Sequence, residues 1–268
     1  MSSPLSRSFL FVPANRPERF DKAVTSGAHQ VILDLEDAVA PADKGAARDF
    51  VARWQRRTDA IVRVNGADTS FFDQDLAMVR SAGVTKLMLP KADPEALDRL
   101  VGSLDRPCQI IALIETVKGN AELRNLGKSG HVARFAFGNL DFGVDAGVTE
   151  LDGELDPVRL QIVLESRLAG LAPPVDGVTT SWADPAIFNA AVGRSKALGF
   201  GAKLCIHPAQ VKLVNDAFTP TAKELEWARR IMEVARSSGG GAVALDGKMV
   251  DAPVIRRAEL ILNGQDNA

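Results

Sequence analysis

The stretches QIIALIET (109–116) and RFAFGNLD (134–141) are two apolar runs that each end in or next to a carboxylate, Glu115 in the first and Asp141 in the second. The two acids lie 26 residues apart, which is close to the length of one strand–helix–strand unit. Neighbouring parallel strands are separated by roughly 4.8 Å, so we expect the two carboxylates to lie side by side. Two acids at that separation share one hard cation, or else they repel until one binds a proton. The pair therefore predicts a metal site.

Similar apolar runs recur along the chain and alternate with longer amphipathic segments. Their near-continuous Val, Ile and Leu content indicates strands that are covered on both faces, as in a parallel sheet. The eight predicted strands are RSFLFVPA (7–14), QVILDLED (30–37), AIVRVN (60–65), KLMLPK (86–91), QIIALIET (109–116), RFAFGNLD (134–141), PVDGVTTS (174–181) and AKLCIHPAQ (202–210).

The predicted helices between these strands are marked by their ends. Asp93, Asp156 and Asp184 each precede a proline, which predicts a capping carboxylate followed by the first helical residue. Thr221 and Glu224 form a predicted capping box at the start of a helix beyond the eighth strand.

Eight strands with their crossovers fit a closed (β/α)8 TIM barrel better than an open doubly wound sheet, which has about five to seven strands. We predict this barrel over residues 1–218, with a C-terminal helix and a lid-like arm over residues 219–268 as part of the same single domain. Chemistry in such a barrel lies at the C-terminal strand ends. Polar residues gather there in this sequence: Asn15, Glu36, Asp37, Arg63, Asn65, Lys91, Glu115, Asp141, Ser181 and His207.

The composition excludes several partners. Of 268 residues, 32 are Lys or Arg and 34 are Asp or Glu, so the formal net charge is −2 and no basic face is indicated for nucleic acid or anionic lipid. The opening MSSPLSRS lacks an apolar core of signal-peptide length, and no apolar stretch approaches about 18 residues. We therefore expect a soluble cytoplasmic protein with neither a nucleic-acid nor a membrane partner.

The tail changes character at SSGGGAVALDGKMVDAP (237–253), where three glycines precede a short β-like segment, Asp251 and a final helix. A glycine hinge that carries an acid is typical of a lid over a barrel mouth, either its own or that of a neighbouring subunit. The alternative is a surface arm that packs on the outside.

A set of motifs in order along the chain resembles the citrate lyase β-subunit-like proteins of the HpcH/HpaI aldolase superfamily. These are RSFLFVPANRPERFDKA, VILDLEDAVAP with KGAAR, VRVN, LPK, IET, FGNLDFGVDAG, IHPAQ and GKMVDAPV. The resemblance implies a (β/α)8 barrel, assembled as a homotrimer or hexamer, that binds Mg²⁺. It also implies a lyase that cleaves or forms a carbon–carbon bond in a 3-hydroxyacyl-CoA thioester such as citryl-CoA or malyl-CoA, giving a 2-oxo acid and an acyl-CoA.

The resemblance assigns roles to four residues. Its metal ligands fall on Glu115 and Asp141, the pair that spacing had already selected. Its carboxylate-binding arginine falls on Arg63, for which an ion pair with Glu36 or Asp37 is the alternative. The acid that moves a proton at the enolate carbon, reaching over from an adjacent subunit, falls on Asp251.

Further polar residues are candidates for binding substrate. Glu36, with Asp37, is predicted to hold metal-bound water or to brace Arg63, or else to cap the next helix. Lys91 is expected to brace the acidic centre or meet a substrate carboxylate, with a strand-end ion pair as the alternative. Gly138 and Asn139 are expected to offer backbone N–H groups to the 2-oxo acid.

Two departures from the family pattern bear on substrate. Leu140 stands where many relatives have an acid before the metal-binding Asp, and Ala146 stands where a leucine is usual. Three functions remain open: the Mg²⁺-dependent acyl-CoA lyase, a metal-dependent aldolase acting on free 2-oxo acids, and a non-catalytic CoA-binding subunit.

Overall fold

The computed structural model describes residues 5–55, 59–149, 153–237 and 243–265. Its main feature is a closed barrel of eight parallel strands that follow one another in chain order, which confirms the predicted (β/α)8 fold. The strands are β1 Ser8–Pro13, β2 Gln30–Asp34, β3 Ile61–Arg63, β4 Lys86–Leu89, β5 Gln109–Ile114, β6 Val132–Phe137, β7 Val175–Asp176 and β8 Ala202–Cys205.

Helices surround the barrel and connect its strands. They are α1 Phe20–Thr25, α2 Lys44–Gln55, α3 Phe72–Ala82, α4 Pro94–Gly102, α5 Val117–Ala121, α6 Leu123–Lys128, α7 Asn139–Ala146, α8 Asp156–Leu168, α9 Pro185–Leu198 and α10 Pro208–Phe218, with short 3₁₀ helices at Pro17–Arg19 and Pro41–Asp43.

The aspartate caps are confirmed at two of the three predicted positions. Asp93 accepts a hydrogen bond from the backbone N–H of Ala96 at 2.8 Å, and Asp184 accepts one from Ala186 at 2.9 Å. The cap predicted at Asp156 is wrong, because Asp156 is itself the first residue of α8 and its carboxylate lies 3.2 Å from Arg159.

The barrel interior is a packed apolar core to which every strand contributes. Its buried members are Phe9, Ile32, Ile61, Met88, Ile111, Leu113, Ala136, Val175, Ala202 and Leu204. Because this layer fills the barrel axis, it forms the floor beneath the polar side chains that follow the C-terminal strand ends.

Every predicted strand runs past the C-terminal end of the observed one, and β6, β7 and β8 differ most. β6 ends at Phe137, so Asp141 lies in the first turn of α7 rather than at a strand end. β7 has two residues, since the chain leaves the sheet at Gly177, where a side chain would collide with the amide of Asn139. β8 ends at Cys205 and α10 begins at Pro208, because proline lacks the N–H that a strand needs but suits the first turn of a helix.

A cluster of buried charges, the Asp176 cluster, lies where α8 and α9 pack beside β7 and β8. Asp176 accepts hydrogen bonds from Arg159 at 3.0 Å, from Lys203 at 3.1 Å and from the Ser195 hydroxyl. Burial would raise the pKa of Asp176, but Lys203 and Arg159 outweigh it and lower the pKa to about 2. This carboxylate is therefore well paired.

The chain divides into two compact units, Ser6–Asn215 and a second unit that contains Asp216–Ala268. The second unit comprises α11 Ala222–Ser237, the antiparallel strands β9 Val243–Leu245 and β10 Lys248–Val250, and α12 Ala252–Gln265. Its capping box is confirmed: the Thr221 N–H donates to Glu224 at 2.7 Å, and the Glu224 N–H donates to the Thr221 hydroxyl at 3.1 Å. That the arm belongs to the same domain as the barrel stays a prediction.

Glycines 239–241 of the predicted hinge lie outside the described residues. Within the residues described, none of the helices combines the length and apolar character needed to cross a membrane.

Candidate active site

A cavity of about 370 Å³ opens at the C-terminal end of the barrel. Ten of the residues that line it are apolar or glycine, and the polar ones are Asp34, Asp37, Arg63, Glu115, Asn139 and Asp141. The cavity therefore brings together both predicted metal ligands and the predicted substrate-binding arginine. We call Asp34, Glu36, Asp37, Arg63, Glu115 and Asp141 the mouth cluster.

Glu115 and Asp141 reach the cavity from different elements. Glu115 directly follows β5 and is 2% exposed, whereas Asp141 projects from the first turn of α7. Burial raises the pKa of Glu115 to about 7, and Asp141 adds to this while Arg63 opposes it. Burial, followed by the charge of Asp37, also raises the pKa of Asp141. Burial thus disfavours the charged form of both carboxylates.

Gly138 makes room for Glu115. A Cβ atom at Gly138 would lie 2.5 Å from the Cβ and 2.6 Å from the Oε2 of Glu115, so a larger residue would displace the carboxylate. The backbone N–H of Gly138 donates to the Ile114 carbonyl at 2.9 Å. This N–H therefore completes the β5–β6 pairing, and its contact with a 2-oxo acid stays a prediction.

Asn139 is the first residue of α7 and is buried. The first backbone N–H groups of a helix have no partner within it, so this end of α7 can offer donors to an anion in the cavity. The side-chain Oδ1 of Asn139 is buried and, among the described residues, has no hydrogen-bond partner. Asn139 therefore keeps unused hydrogen-bonding capacity at the cavity wall.

Arg63 is held by carboxylates on every edge of its guanidinium. Its Nε and Nη2 donate to the two oxygens of Asp34 at 2.7 Å each, and Asp34 is its register partner on the neighbouring strand. Its Nη1 lies 2.9 Å from Glu36 and 3.4 Å from Asp37. The ion pair weighed as an alternative is thus present, and contact of Arg63 with substrate stays a prediction.

The charges of Arg63 and of the carboxylates around it do not balance. Burial disfavours the charged form of Arg63, but Asp34 more than compensates, so the pKa of Arg63 is raised. Burial also raises the pKa of Glu36 to about 9, against the opposing effect of Arg63. One guanidinium therefore serves more carboxylates than it can neutralise.

A buried hydrogen-bond network fixes the backbone at Leu35 and Glu36. The Lys44 ammonium donates to the carbonyls of Leu35 and Glu36 at 2.8 and 2.9 Å and to Asn65 at 2.6 Å. The backbone and side chain of Asn65 in turn donate to Asp75 at 2.8 and 2.6 Å. This network holds the backbone that carries Glu36.

Lys91 acts on the site through its backbone. Its φ of 45° lies in the left-handed region that non-glycine residues rarely adopt, and its N–H donates to Glu115 Oε1 at 2.7 Å. Burial opposes the charged ammonium, but Glu36, Asp68 and Glu115 together raise the pKa of Lys91. Lys91 thus orients a predicted metal ligand and faces the acidic centre electrostatically.

Asp251 belongs to the second unit, between β10 and α12. Its carboxylate accepts a hydrogen bond from the Val254 N–H at 3.3 Å, which caps α12. A catalytic role for Asp251 stays a prediction.

The donor set fits magnesium. Mg²⁺ is usually held by one or two protein carboxylates, with water and substrate oxygens completing its coordination. Glu115 and Asp141 offer this pair, and a bound cation would favour the charged carboxylates that burial disfavours. In the described ranges no three His, Cys, Asp or Glu side chains form a fuller metal shell.

The model of the HpcH/HpaI aldolase/citrate lyase family matches residues 7–208 of the sequence. This chain belongs to that family. It is 34% identical to a citrate lyase subunit beta-like protein from Deinococcus radiodurans, over 98% of this chain and 99% of the relative. It is 33% identical to an L-malyl-CoA/beta-methylmalyl-CoA lyase from Cereibacter sphaeroides, over 96% of this chain and 93% of the relative.

Solved structures agree with this family assignment. CitE from Mycobacterium tuberculosis, in complex with magnesium, acetoacetate and coenzyme A, matches with a TM-score of 0.87 and 32% identity. The match covers 99% of this chain and 98% of that structure. The chain is therefore CitE-like in sequence and in fold.

Sequence reasoning missed Asp34, the bidentate partner of Arg63. A signal was available, because Asp34 interrupts an apolar strand and lies two residues before Glu36, on the same side of an extended chain. It also missed the Lys44, Asn65 and Asp75 network, which depends on side chains from three separate elements.

Proposed function

We propose that this chain is a Mg²⁺-dependent carbon–carbon lyase. It cleaves a 3-hydroxyacyl-CoA thioester into a 2-oxo acid and an acyl-CoA, or forms that thioester by Claisen-type condensation. The observation that carries the proposal is the convergence of Glu115 and Asp141 on one cavity at the barrel mouth, where burial raises the pKa of both. The names of the lyase relatives and of the CitE complex with magnesium and coenzyme A support it.

Glu115 and Asp141 would hold the magnesium ion, with the Lys91 N–H and the space at Gly138 fixing the Glu115 carboxylate. When bound, the ion acts as a Lewis acid that polarises the substrate oxygen and stabilises its negative charge.

In the cleavage direction the bond between C2 and C3 of the thioester breaks, and its electron pair passes to C2 as the enolate. The C3 hydroxyl releases its proton to solvent and becomes the keto group of the 2-oxo acid. We assign Asp251 as the acid that delivers a proton to C2, so that the enolate leaves as acyl-CoA. In the reverse direction the same carboxylate removes that proton.

Arg63 would bind the carboxylate of the 2-oxo acid through Nη1, which Glu36 and Asp37 also approach, since Asp34 occupies Nε and Nη2. The first turn of α7 at Asn139 offers further N–H donors to the same anion. Glu36 would hold water or brace Arg63, which it approaches to 2.9 Å. We also propose a homotrimer or hexamer in which the Asp251 arm serves a neighbouring subunit.

The test is incubation of the purified chain with Mg²⁺ and a panel of malyl-, methylmalyl-, citramalyl- and citryl-CoA, with the released 2-oxo acid as the readout. We expect release from at least one thioester and its loss after chelation with EDTA. Activity confined to free hydroxy-oxo acids would instead support the aldolase alternative. Binding of CoA without turnover of any substrate would support the non-catalytic subunit.

The structure gives the aldolase alternative no histidine base in the cavity among the residues it describes. His207 accepts a hydrogen bond from the Ala209 N–H at 3.2 Å, and its ring stacks on Trp182 at a centroid distance of 4.6 Å. These contacts give His207 a structural role at the end of β8.

A further inference from the structure

The helices around the barrel differ in how much apolar surface they expose. Among the residues that the structure describes, α2, α3, α4, α6 and α10 carry no exposed large apolar side chain. Helix α8 carries three, Leu160, Leu164 and Leu168, which are 44%, 56% and 63% exposed. Residues four apart lie on the same face of a helix, so these leucines form one continuous stripe. We call them the α8 stripe.

The α8 stripe does not belong to the packing of α8 on the barrel. The inner face of α8 already packs beside β6, and its buried residues include Ile162 and Val163. A surface helix of a globular domain needs only one apolar face for this purpose. Single exposed leucines are common, but an apolar stripe along a whole helix marks a surface that binds a partner.

Polar side chains border the α8 stripe on the side of α5 and α6. Arg124 donates to both oxygens of Glu165, at 3.1 and 2.6 Å, and Asn120 donates to Gln161 at 3.1 Å. These contacts satisfy the polar groups at the border within the chain. The arrangement is an apolar centre beside a polar rim, which is the anatomy of a protein–protein interface.

The α8 stripe is also complementary to itself. Leu160 and Leu168 lie at equal intervals on either side of Leu164. When a second α8 lies antiparallel across the stripe, with a two-fold axis at Leu164, each Leu164 meets its counterpart and each Leu160 meets a Leu168. Arg167 then lies opposite Gln161, both of which are exposed, so this pairing brings no like charges together.

From these observations we infer that the α8 stripe binds a second copy of this chain, about a two-fold axis at Leu164. Burial of the leucines provides the driving force, because it removes apolar surface from water. A standard interface buries roughly 800 Å² on each partner. The 13 residues of α8 span about 20 Å and form its centre, and the neighbouring helices α6 and α9 extend it.

The two-fold contact is independent of the lyase function. It does select between the two proposed assemblies, and that selection rests on the proposed ring of three subunits in which the Asp251 arm serves a neighbour. A three-fold ring whose members each make one further two-fold contact closes as a hexamer. The inference therefore favours the hexamer over the trimer.

The test is the mass of the full-length protein in solution, measured by sedimentation equilibrium over a range of concentrations. We expect six copies where the arm contact also forms, and two where it does not. Leu164→Arg places two like charges at the axis and should weaken the two-fold contact at least about 100-fold, which halves the mass. An odd number of copies in wild type, or an unchanged mass in Leu164→Arg, would overturn the inference and leave the lyase proposal standing.

Val24→Arg is the matched control. It adds the same charge at an apolar residue that is 46% exposed on α1, outside the α8 stripe, and it should leave the mass unchanged. An equal fall in mass in Val24→Arg would contradict a contact centred on Leu164.

A mixture of two variants tests the self-pairing directly. Leu164→Glu alone should dissociate as Leu164→Arg does, and both should keep the helix content of wild type by circular dichroism. Mixed in equal amounts, they should regain the wild-type mass, because the introduced carboxylate of one copy meets the introduced guanidinium of the other. A mixture that stays dissociated would show that Leu164 does not meet its counterpart, and would overturn the inference.

Discussion

The barrel carries two clusters of buried charge that differ in their balance. In the mouth cluster, five carboxylates surround the Arg63 guanidinium, and burial raises the pKa of Glu36 to about 9 and of Glu115 to about 7. In the Asp176 cluster, burial is outweighed by Lys203 and Arg159, which lower the pKa of Asp176 to about 2. Asp34, Glu36, Arg63 and Glu115 of the mouth cluster are buried, as Asp176 is, so desolvation alone does not distinguish the two clusters.

The difference lies in whether the protein supplies the opposite charge. The Asp176 carboxylate is satisfied within the chain and stabilises the packing of α8 and α9 on the barrel. In the mouth cluster the carboxylates outnumber Arg63 and the pKa values of Glu36 and Glu115 are raised, as is expected of a ligand site rather than of a structural ion pair. Four variants or conditions test this contrast, from the largest expected effect to the smallest.

Glu115→Gln should abolish the proposed lyase reaction, with a loss of at least about 10⁴-fold in kcat/KM, because it removes one of the two carboxylates proposed to hold the metal. Metal-free Glu115→Gln should nevertheless unfold at or above the wild-type temperature, since it relieves unpaired negative charge. Steady-state kinetics and thermal unfolding give the two readouts. Glu95→Gln, with a side chain that is 89% exposed, is the matched control. A Glu115→Gln variant that is active but less stable than wild type would show that Glu115 stabilises the fold and does not hold the metal.

Asp251→Asn should lower turnover by about 10²–10⁴-fold, because the amide cannot transfer the proton at the enolate carbon. Asparagine caps helices as well as aspartate does, so the cap on α12 should survive. Mg²⁺ binding, measured by calorimetry, should be unchanged. Near-normal lyase rates in this variant would show that the assignment is wrong.

Asp176→Asn should destabilise the fold by about 3–5 kcal/mol, because it removes the buried carboxylate that both Lys203 and Arg159 contact. The change in free energy of unfolding can be measured with urea. Asp156→Asn removes a second partner of the same Arg159, but that side chain is 33% exposed, and we expect a loss of about 1 kcal/mol or less. Equal losses in the two variants would count against the contrast in burial.

The pH dependence of stability should have opposite signs in the two clusters. The pKa of Glu115 is raised by burial, so its contribution to stability is complete below about pH 4 and is lost as the pH rises through about 7. The pKa of Asp176 is lowered, so its contribution is complete above about pH 4 and is lost as the pH falls towards about 2.

Between pH 5 and 8, metal-free wild type should therefore lose about 2 kcal/mol more stability than metal-free Glu115→Gln. Urea unfolding at several pH values checks this difference. Parallel curves for the two proteins would mean that Glu115 is already neutralised by other groups.

Much of the fold was predictable because strand periodicity and helix caps are local signals. The barrel, the caps at Asp93 and Asp184 and the capping box at Thr221 follow from neighbouring residues. The short β7 did not, because Gly177, where it ends, packs against Asn139 just beyond the neighbouring strand β6. Asp156 precedes a proline, as the other two capping aspartates do, but its carboxylate forms an ion pair with Arg159 instead of capping the helix.

The site shows the same limit. Glu115 and Asp141 were predictable as a pair because both follow apolar strands in adjacent units. The roles of Lys91 and Gly138 were not predictable. The role of Lys91 depends on a left-handed backbone that directs its N–H to Glu115. The role of Gly138 depends on the absence of a side chain next to Glu115. The pairing of Asp34 with Arg63 could not be predicted without the register of β2 against β3, which the sequence alone does not give.

The most direct test of the contrast is thermal unfolding of metal-free protein near neutral pH as Mg²⁺ is added. Saturating Mg²⁺ should raise the Tm of wild type by about 5 °C and leave Glu115→Gln and Asp141→Asn unchanged. Asp176→Asn should start from a lower Tm but show the wild-type rise. No rise in wild type, or an equal rise in Glu115→Gln and Asp141→Asn, would contradict a magnesium site in the mouth cluster.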